Sequence, residues 1–297
     1  MSPKVDPPTA LFKHLFERRV GSGLPLPGAP WNSSAMERFA SAVVTGAARG
    51  IGRGIAEQLV RRGYYVVVAD VDTDAVRRTA DEIGAMAGLS QDVRDESSHR
   101  AVAQEALKHA PLAAWFNNAG VGHDGTLAEL TAEQVRQLVE VNLLGTMWGS
   151  RAAIDAFGDR GGDIVNIASL SGHGPVPGLS VYAATKAAVV SLSTSVNAET
   201  PRNVRVHVLC PDGVSTAMVD AMDPAGRAKQ LVASGGPMLS AGKVAAEAVA
   251  LLGTARVVRT LPGWRGVVSR LTALAPSVSM RAEPLLRLQG KRALRRR

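Results

Sequence analysis

Apolar runs of strand length alternate with helical stretches from residue 41 to residue 209, and this alternation restricts the fold more than any other feature. The runs lie at 42–45, 65–70, 112–117, 164–168 and 204–209, with a weaker one at 86–90. Between them, residues 53–62, 73–83, 96–109, 132–157 and 181–199 read as helices. Strands alternating with helices of ten or more residues predict an α/β fold: one doubly wound parallel sheet, helices on both faces, right-handed crossovers. A single domain over residues 37–265 is expected, and no internal repeat is visible. Residues 1–36 read as a Pro/Gly-rich extension, with six prolines before Met36, and residues 266–297 as a basic amphipathic tail. Leu11, Phe12, Leu15 and Phe16 could form the apolar face of a short helix, and a native start at Met36 stays open.

Composition excludes several classes. Cys210 is the only cysteine, which removes a disulfide framework and any cysteine-cluster metal site. Placed before Pro211, it reads as a buried structural thiol rather than a nucleophile. No metal site is expected. No run of 18 apolar residues appears, and the N-terminal stretch lacks the basic-then-apolar order of a secretory signal, so a cytoplasmic protein is expected. The formal charge is +8, but from Arg281 onward seven basic residues stand against Glu283 alone. Most of the excess is therefore a tail. No basic stripe interleaved with aromatics points to nucleic acid.

Two stretches carry chemistry. The first is Gly46-Ala-Ala-Arg49-Gly50-Ile51-Gly52, between a strand and a helix, in a unit whose next strand ends in Asp70. Glycines there allow a tight turn and close backbone approach, and the following helix N-terminus presents free N–H groups to a pyrophosphate. The second runs from Ser169 to Lys186. Ser169 sits at the end of the fifth strand, where open α/β sheets gather their ligands. Tyr182 and Lys186 are four apart and share a helix face. A free phenol has a pKa of about 10, but an ammonium a few ångströms away favours the phenolate by roughly 1–3 units. The pair is thus expected to work as an acid–base at physiological pH.

Together Thr45-Gly46-x-x-x-Gly50-x-Gly52, Asn117-Asn118-Ala119-Gly120, Asn142, Ser169 and Tyr182-x-x-x-Lys186 resemble the motif set of the short-chain dehydrogenases/reductases, in order and at that family's spacing. The resemblance implies a Rossmann fold and an oxidoreductase moving hydride between NAD(P) and a secondary alcohol or ketone. A hydrophobic substrate is expected: a steroid, retinoid, lipid or xenobiotic carbonyl. By the same resemblance Tyr182 would exchange a proton with the substrate oxygen and Ser169 would orient it. Lys186 would hold the nicotinamide ribose and lower the Tyr182 pKa, and Asn142, a helix-kinking position, would anchor a relay water. Cofactor contacts would come from Gly46, Arg49, Gly50, Ile51 and Gly52, from Asp92 and Val93, from Asn118, Ala119 and Gly120, and from Val214 and Thr216. Asp70 would accept the adenosine ribose hydroxyls and oppose a 2′-phosphate by about 1–4 kcal/mol. Arg49 is what NADP users of the family often carry. NAD is the expected cofactor, with NADP open.

The chain departs from the family at two places, after the sixth strand and after residue 261. Pro211-Asp212-Gly213 displaces the usual Pro-Gly. Residues 218–237 resemble a substrate lid, in which Met218, Met222, Leu231 and Val232, with the nearby Met238, line an apolar pocket or simply pack. His173, close to Ser169, touches substrate or is solvated. After residue 261 the chain continues with Val267, Val268, Leu271, Leu274, Leu285, Leu286 and Leu288 among arginines. Such a tail folds over the body, is disordered, or makes a peripheral contact with an anionic membrane. A tetramer is consequently in doubt, and a homodimer through the fourth and fifth helices is expected. Two rival classes stay open: a non-catalytic dinucleotide-binding regulator and a membrane-surface lipid-binding protein.

Overall fold

The computed structural model describes residues 40–274, Ser277, Arg281 and residues 283–295. The proline-rich extension over residues 1–36 and the proposed start at Met36 lie outside the described residues. The strands are β1 Ser41–Thr45, β2 Tyr65–Asp70, β3 Ala87–Ser90, β4 Leu112–Asn117, β5 Gly162–Ile167, β6 Val204–Pro211 and β7 Val258–Leu261. They form one sheet in the order β3-β2-β1-β4-β5-β6-β7, each neighbouring pair parallel. The principal helices are α1 Gly50–Arg61, α2 Thr73–Ile83, α3 Glu96–His109, α4 Ala132–Val139, α5 Gly145–Phe157, α6 Ser180–Glu199, α7 Ala217–Asp220, α8 Arg227–Ala233, α9 Ala241–Val249, α10 Gly263–Leu274 and α11 Glu283–Leu294.

Successive residues of each strand point to opposite faces, and both faces are covered. Ala42, Val44, Val66, Val68 and Phe116 pack against Ile55 and Leu59 of α1, Val76 of α2 and Val244 of α9. Val43, Val67, Trp115 and Ile164 pack against Val102 and Ala106 of α3 and Ala153 and Phe157 of α5. This two-sided burial explains why the strands read as apolar runs rather than as alternating ones. Strand order reverses between β1 and β4, which opens a crevice at the carboxyl ends of the strands.

At the opposite, amino-terminal end of the strands Asp163, 6% exposed, accepts from Arg205 at 2.7 and 2.8 Å, His207 at 2.9 Å and the Gly253 N–H at 3.3 Å. Burial pushes its carboxyl up, but His207 and Arg205 outweigh that and hold it below the usual carboxylate range. The cluster ties β5 to β6 far from the crevice, so its role is structural.

Three expectations change. The single helix over 132–157 is interrupted by a π-helical turn, Glu140–Leu144, between α4 and α5. Residues 258–261 form a seventh strand on the β6 edge. The boundary at residue 265 falls inside α10, and both α10 and α11 belong to the compact unit that contains the sheet. Gly266 of α10 is seated on Thr260 of β7, where a methyl would come within 2.7 Å of the threonine Cβ. Gly290 of α11 lies against the Gln230 carbonyl of α8 so closely that no side chain fits.

Candidate active site

A cleft of about 1240 Å³ opens at the carboxyl ends of the strands. That exceeds the roughly 300–1,000 Å³ typical of a pocket for one small molecule. At one end it is bordered by Gly46, Gly50, Asp70, Asp92 and Asn118; at its middle by Ser169, Tyr182 and Lys186; at the other end by Met218, Met222, Trp264 and Leu286.

The glycine turn is held to the end of β4. Thr45 Oγ1 accepts from the Asn118 and Ala119 N–H groups at 3.1 and 3.2 Å. Asn118 Nδ2 donates to the Thr45 and Gly46 carbonyls at 3.0 and 2.8 Å. Gly46 and Gly50 adopt φ of +62° and +61°, which side chains rarely tolerate. A Cβ on Gly52 would lie 2.3 Å from the Gly46 carbonyl oxygen and 2.5 Å from Asn118 Nδ2. Gly52 does not border the cleft and acts by letting the turn close on itself. Arg49 supplies no side-chain cap to α1, so the first-turn N–H groups of that helix are left for a ligand.

Beside this turn, Asp70 Oδ2 accepts from the Ala48 N–H at 3.0 Å and Oδ1 from the Asp72 N–H at 3.1 Å. Its carboxylate thus braces the turn and still borders the cleft. Val71, next to it, is 72% exposed. Asp92 is gripped by Arg94, with Nη2 at 2.6 Å, and that bond keeps its carboxyl below the usual range. The Val93 carbonyl lies 2.9 Å from His99 Nε2. Gln91 is 2% exposed, borders the cleft, and its side-chain amide has no hydrogen-bond partner among the described residues. A backbone cradle that a Cβ would fill, open helix N–H groups, a carboxylate at the end of β2 and an unpaired amide make a donor and acceptor set that fits a dinucleotide.

Tyr182 and Lys186 lie one turn apart on α6, with the Lys186 Nζ 5.7 Å from the phenol ring centre. Lys186 is 5% exposed and donates to the Ile167 carbonyl at 2.9 Å. Burial takes its ammonium down to about 8. Here the expectation from sequence is corrected: burial also pushes the Tyr182 phenol above its ordinary 10, and the opposing influence is a hydrogen bond with Ser169, not the lysine. Both groups stand in a weakly polar environment, so each is driven toward its neutral form. Ser169 Oγ also accepts from the Ser171 N–H at 3.2 Å.

Asn142, fully buried in the π turn, does not border the cleft. Its Oδ1 accepts from the Val121 N–H at 2.8 Å, and its Nδ2 donates to the Val121 carbonyl at 3.0 Å and reaches Thr185 Oγ1 at 3.3 Å. The geometry suits a residue that fixes the strand-end loop next to Lys186. Arg49, Ile51, Asp92, Val93, Asn118, Ala119, Gly120, Val214 and Thr216 all border the cleft. Met218, Met222, Leu231 and Val232 border it as well, whereas Met238 does not. His173 turns away: its Nε2 lies 3.2 Å from Thr260 Oγ1. Cys210 is buried, and burial pushes its thiol up to about 12, so it is inert. Among the described residues, no group of three or more His, Cys, Asp or Glu is placed to hold a metal ion.

Residues 40–226 match the family described as short chain dehydrogenase. A sorbitol dehydrogenase from Cereibacter sphaeroides is 36% identical over 217 residues, covering 68% of this chain and 85% of that enzyme. Among solved structures, a short chain dehydrogenase/reductase from Burkholderia phymatum in complex with NAD has a TM-score of 0.71 at 30% identity, over 82% of this chain and 96% of that one. A 3-ketoacyl-(acyl-carrier-protein) reductase from Brucella melitensis complexed with NADH has a TM-score of 0.70 at 28% identity, over 77% and 99%. The chain belongs to the short-chain dehydrogenase family.

Part of this chain's cleft comes from beyond the matched residues. Arg265 of α10 forms an ion pair with Asp212, the residue that displaces the family's glycine after β6. Gly235 packs flat on that guanidinium, where a side chain would collide. The sequence marks Asp212 as a departure and the C-terminal stretch as another, but contains no signal that the two meet. Val71, Gln91, Trp264 and Leu286 also border the cleft without having been singled out as cofactor contacts.

Proposed function

We propose that this chain is an NAD-dependent oxidoreductase that interconverts an apolar secondary alcohol and its ketone. One observation carries the reading: Ser169, Tyr182 and Lys186 border the same cleft as the glycine cradle. Gly46, Arg49, Gly50 and Ile51 would hold the pyrophosphate, Asp70 the adenosine ribose, Asp92 and Val93 the adenine, and Val214 and Thr216 the carboxamide end. When bound, the dinucleotide would supply or accept the hydride. The relatives solved with NAD and NADH support the choice of cofactor. So does the Asp70 carboxylate, since a 2′-phosphate beside it would meet a like charge costing about 1–4 kcal/mol.

The chain's own groups handle orientation and the proton. Ser169 holds the substrate oxygen. In reduction Tyr182 gives that oxygen its phenol proton, and in oxidation it takes the proton back. Burial favours the neutral phenol, which is the donating form. The Lys186 ammonium, one helical turn away, would steady the phenolate left behind. Val176, Met218, Met222, Leu231 and Val232 border the far end of the cleft and support an apolar substrate.

A turnover screen tests this reading. Ketones and alcohols of graded hydrophobicity are offered with NAD(H) and NADP(H), and nicotinamide absorbance is followed. Turnover of apolar members with NAD(H) preferred is expected. NADH binding without turnover anywhere in the panel would contradict it.

A further inference from the structure

Helices α10 and α11 are mounted with their polar sides inward and their apolar sides outward. A surface helix of a globular protein ordinarily does the reverse. On α10, Arg265 pairs with Asp212, Ser269 lies against Gly174, and Gly266 is the only buried residue. On α11, Glu283 reaches Arg227 at 3.4 Å, Arg287 Nε donates to Gln230 Oε1 at 3.2 Å, and Gly290 packs on α8. Trp264, Val267, Val268, Leu271 and Leu274 form one stripe at helical spacing, and all are exposed, Leu274 most of all at 81%. Leu285 of α11 is 71% exposed.

The charge points to what covers this face. From Gly263 to the last residue there are nine Lys or Arg and one Glu, which equals the whole formal excess of +8 and leaves the preceding 262 residues balanced. Arg270, Arg281, Lys291, Arg292 and Arg295 are exposed. An apolar stripe flanked by cations complements an anionic lipid surface, which accepts apolar side chains at the headgroup level and cations at the phosphates. A second copy would bring two strongly positive faces together. Nucleic acid would satisfy the charge but not the leucines.

We propose that α10 and α11 dock this protein on the surface of anionic membranes, with the mouth of the cleft turned toward the bilayer. Trp264, Val268 and Leu286 belong both to the exposed face and to the cleft lining, so an apolar substrate dissolved in the membrane would enter without crossing water. The docking stands independently of the oxidoreductase reading, and only the route of entry rests on it.

Co-sedimentation of the full chain with vesicles tests the docking without any turnover. Binding is expected to equal parts of phosphatidylcholine and phosphatidylglycerol, to be absent with phosphatidylcholine alone, and to weaken in high salt. The variant Val267→Glu/Leu271→Glu/Leu274→Glu, whose positions do not border the cleft, should lose at least about tenfold in partitioning, with unchanged thermal stability and NADH binding. Failure of the parent chain to bind anionic vesicles, or undiminished binding by the variant, would overturn the proposal. So would a stable dimer in size-exclusion chromatography that the triple variant dissociates, or preferential capture by RNA over vesicles.

Discussion

At the cofactor end of the cleft, Thr45, Gly46, Gly52 and Asn118 are joined by hydrogen bonds of the Asn118 amide and the Thr45 hydroxyl with neighbouring backbone groups, and by approaches too close for a side chain. At the substrate end, α8, α10 and α11 are joined by side-chain contacts: Arg265 on Asp212, Arg287 on Gln230 and Glu283 on Arg227. The first end is set by geometry that one methylene would disturb. The second has close glycine contacts too, Gly266 on Thr260 and Gly290 on Gln230, but its walls are also joined by side-chain pairs that can be exchanged singly. A family can therefore keep one dinucleotide seat while varying what it encloses, and damage at the two ends should have different signatures.

Gly52→Val should give the largest effect, because its side chain would meet the Gly46 carbonyl and Asn118 within van der Waals distance. NADH binding followed by nicotinamide fluorescence should vanish, with a stability loss of about 1–3 kcal/mol; retained affinity would mean that the turn yields.

Lys186→Met probes the boundary between the ends and should lower kcat by at least about 10²-fold. It also carries a pH signature. In the parent chain Lys186 titrates at about 8 when folded and at 10.5 in an ordinary setting. Between those values the unfolded chain binds the extra proton, so stability should rise with pH through that window. Chemical denaturation at a series of pH values should find that rise in the parent and not in the variant.

Asp70→Asn keeps an acceptor for the Ala48 N–H while removing the charge. The ratio of kcat/KM for NADH over NADPH should fall by between about fivefold and a thousandfold. The smallest effect belongs to the substrate end. Arg265→Met should raise KM for an apolar ketone by about tenfold or less and leave NADH affinity alone; a loss of NADH binding instead would erase the distinction between the two ends.

The same contrast explains what the sequence revealed. The strands, the glycine turn and the pairing of Tyr182 with Lys186 were legible because each depends on spacing within a short stretch. The contact between Asp212 and Arg265 joins residues 53 apart in sequence and leaves no local trace. The kink at Asn142 is implied by the family resemblance, but the hydrogen bonds of its side chain to the Val121 backbone are not encoded by spacing. Proximity of a lysine predicts a lowered phenol pKa only if solvent around the pair is ignored, and burial is a tertiary property. For α10 the apolar periodicity is plain in the sequence, but the face that turns inward is the one that meets Asp212, Thr260 and Gly174.

The most direct measurement is single-turnover kinetics of Tyr182→Phe on a ketone that the parent chain reduces, with NADH affinity measured on the same sample. The rate should fall by roughly 10²–10⁴-fold while NADH affinity is unchanged, because the hydroxyl moves the proton and does not build the glycine cradle. A variant that still reduces the ketone at a rate comparable to the parent would contradict the assignment of Tyr182 as the proton donor.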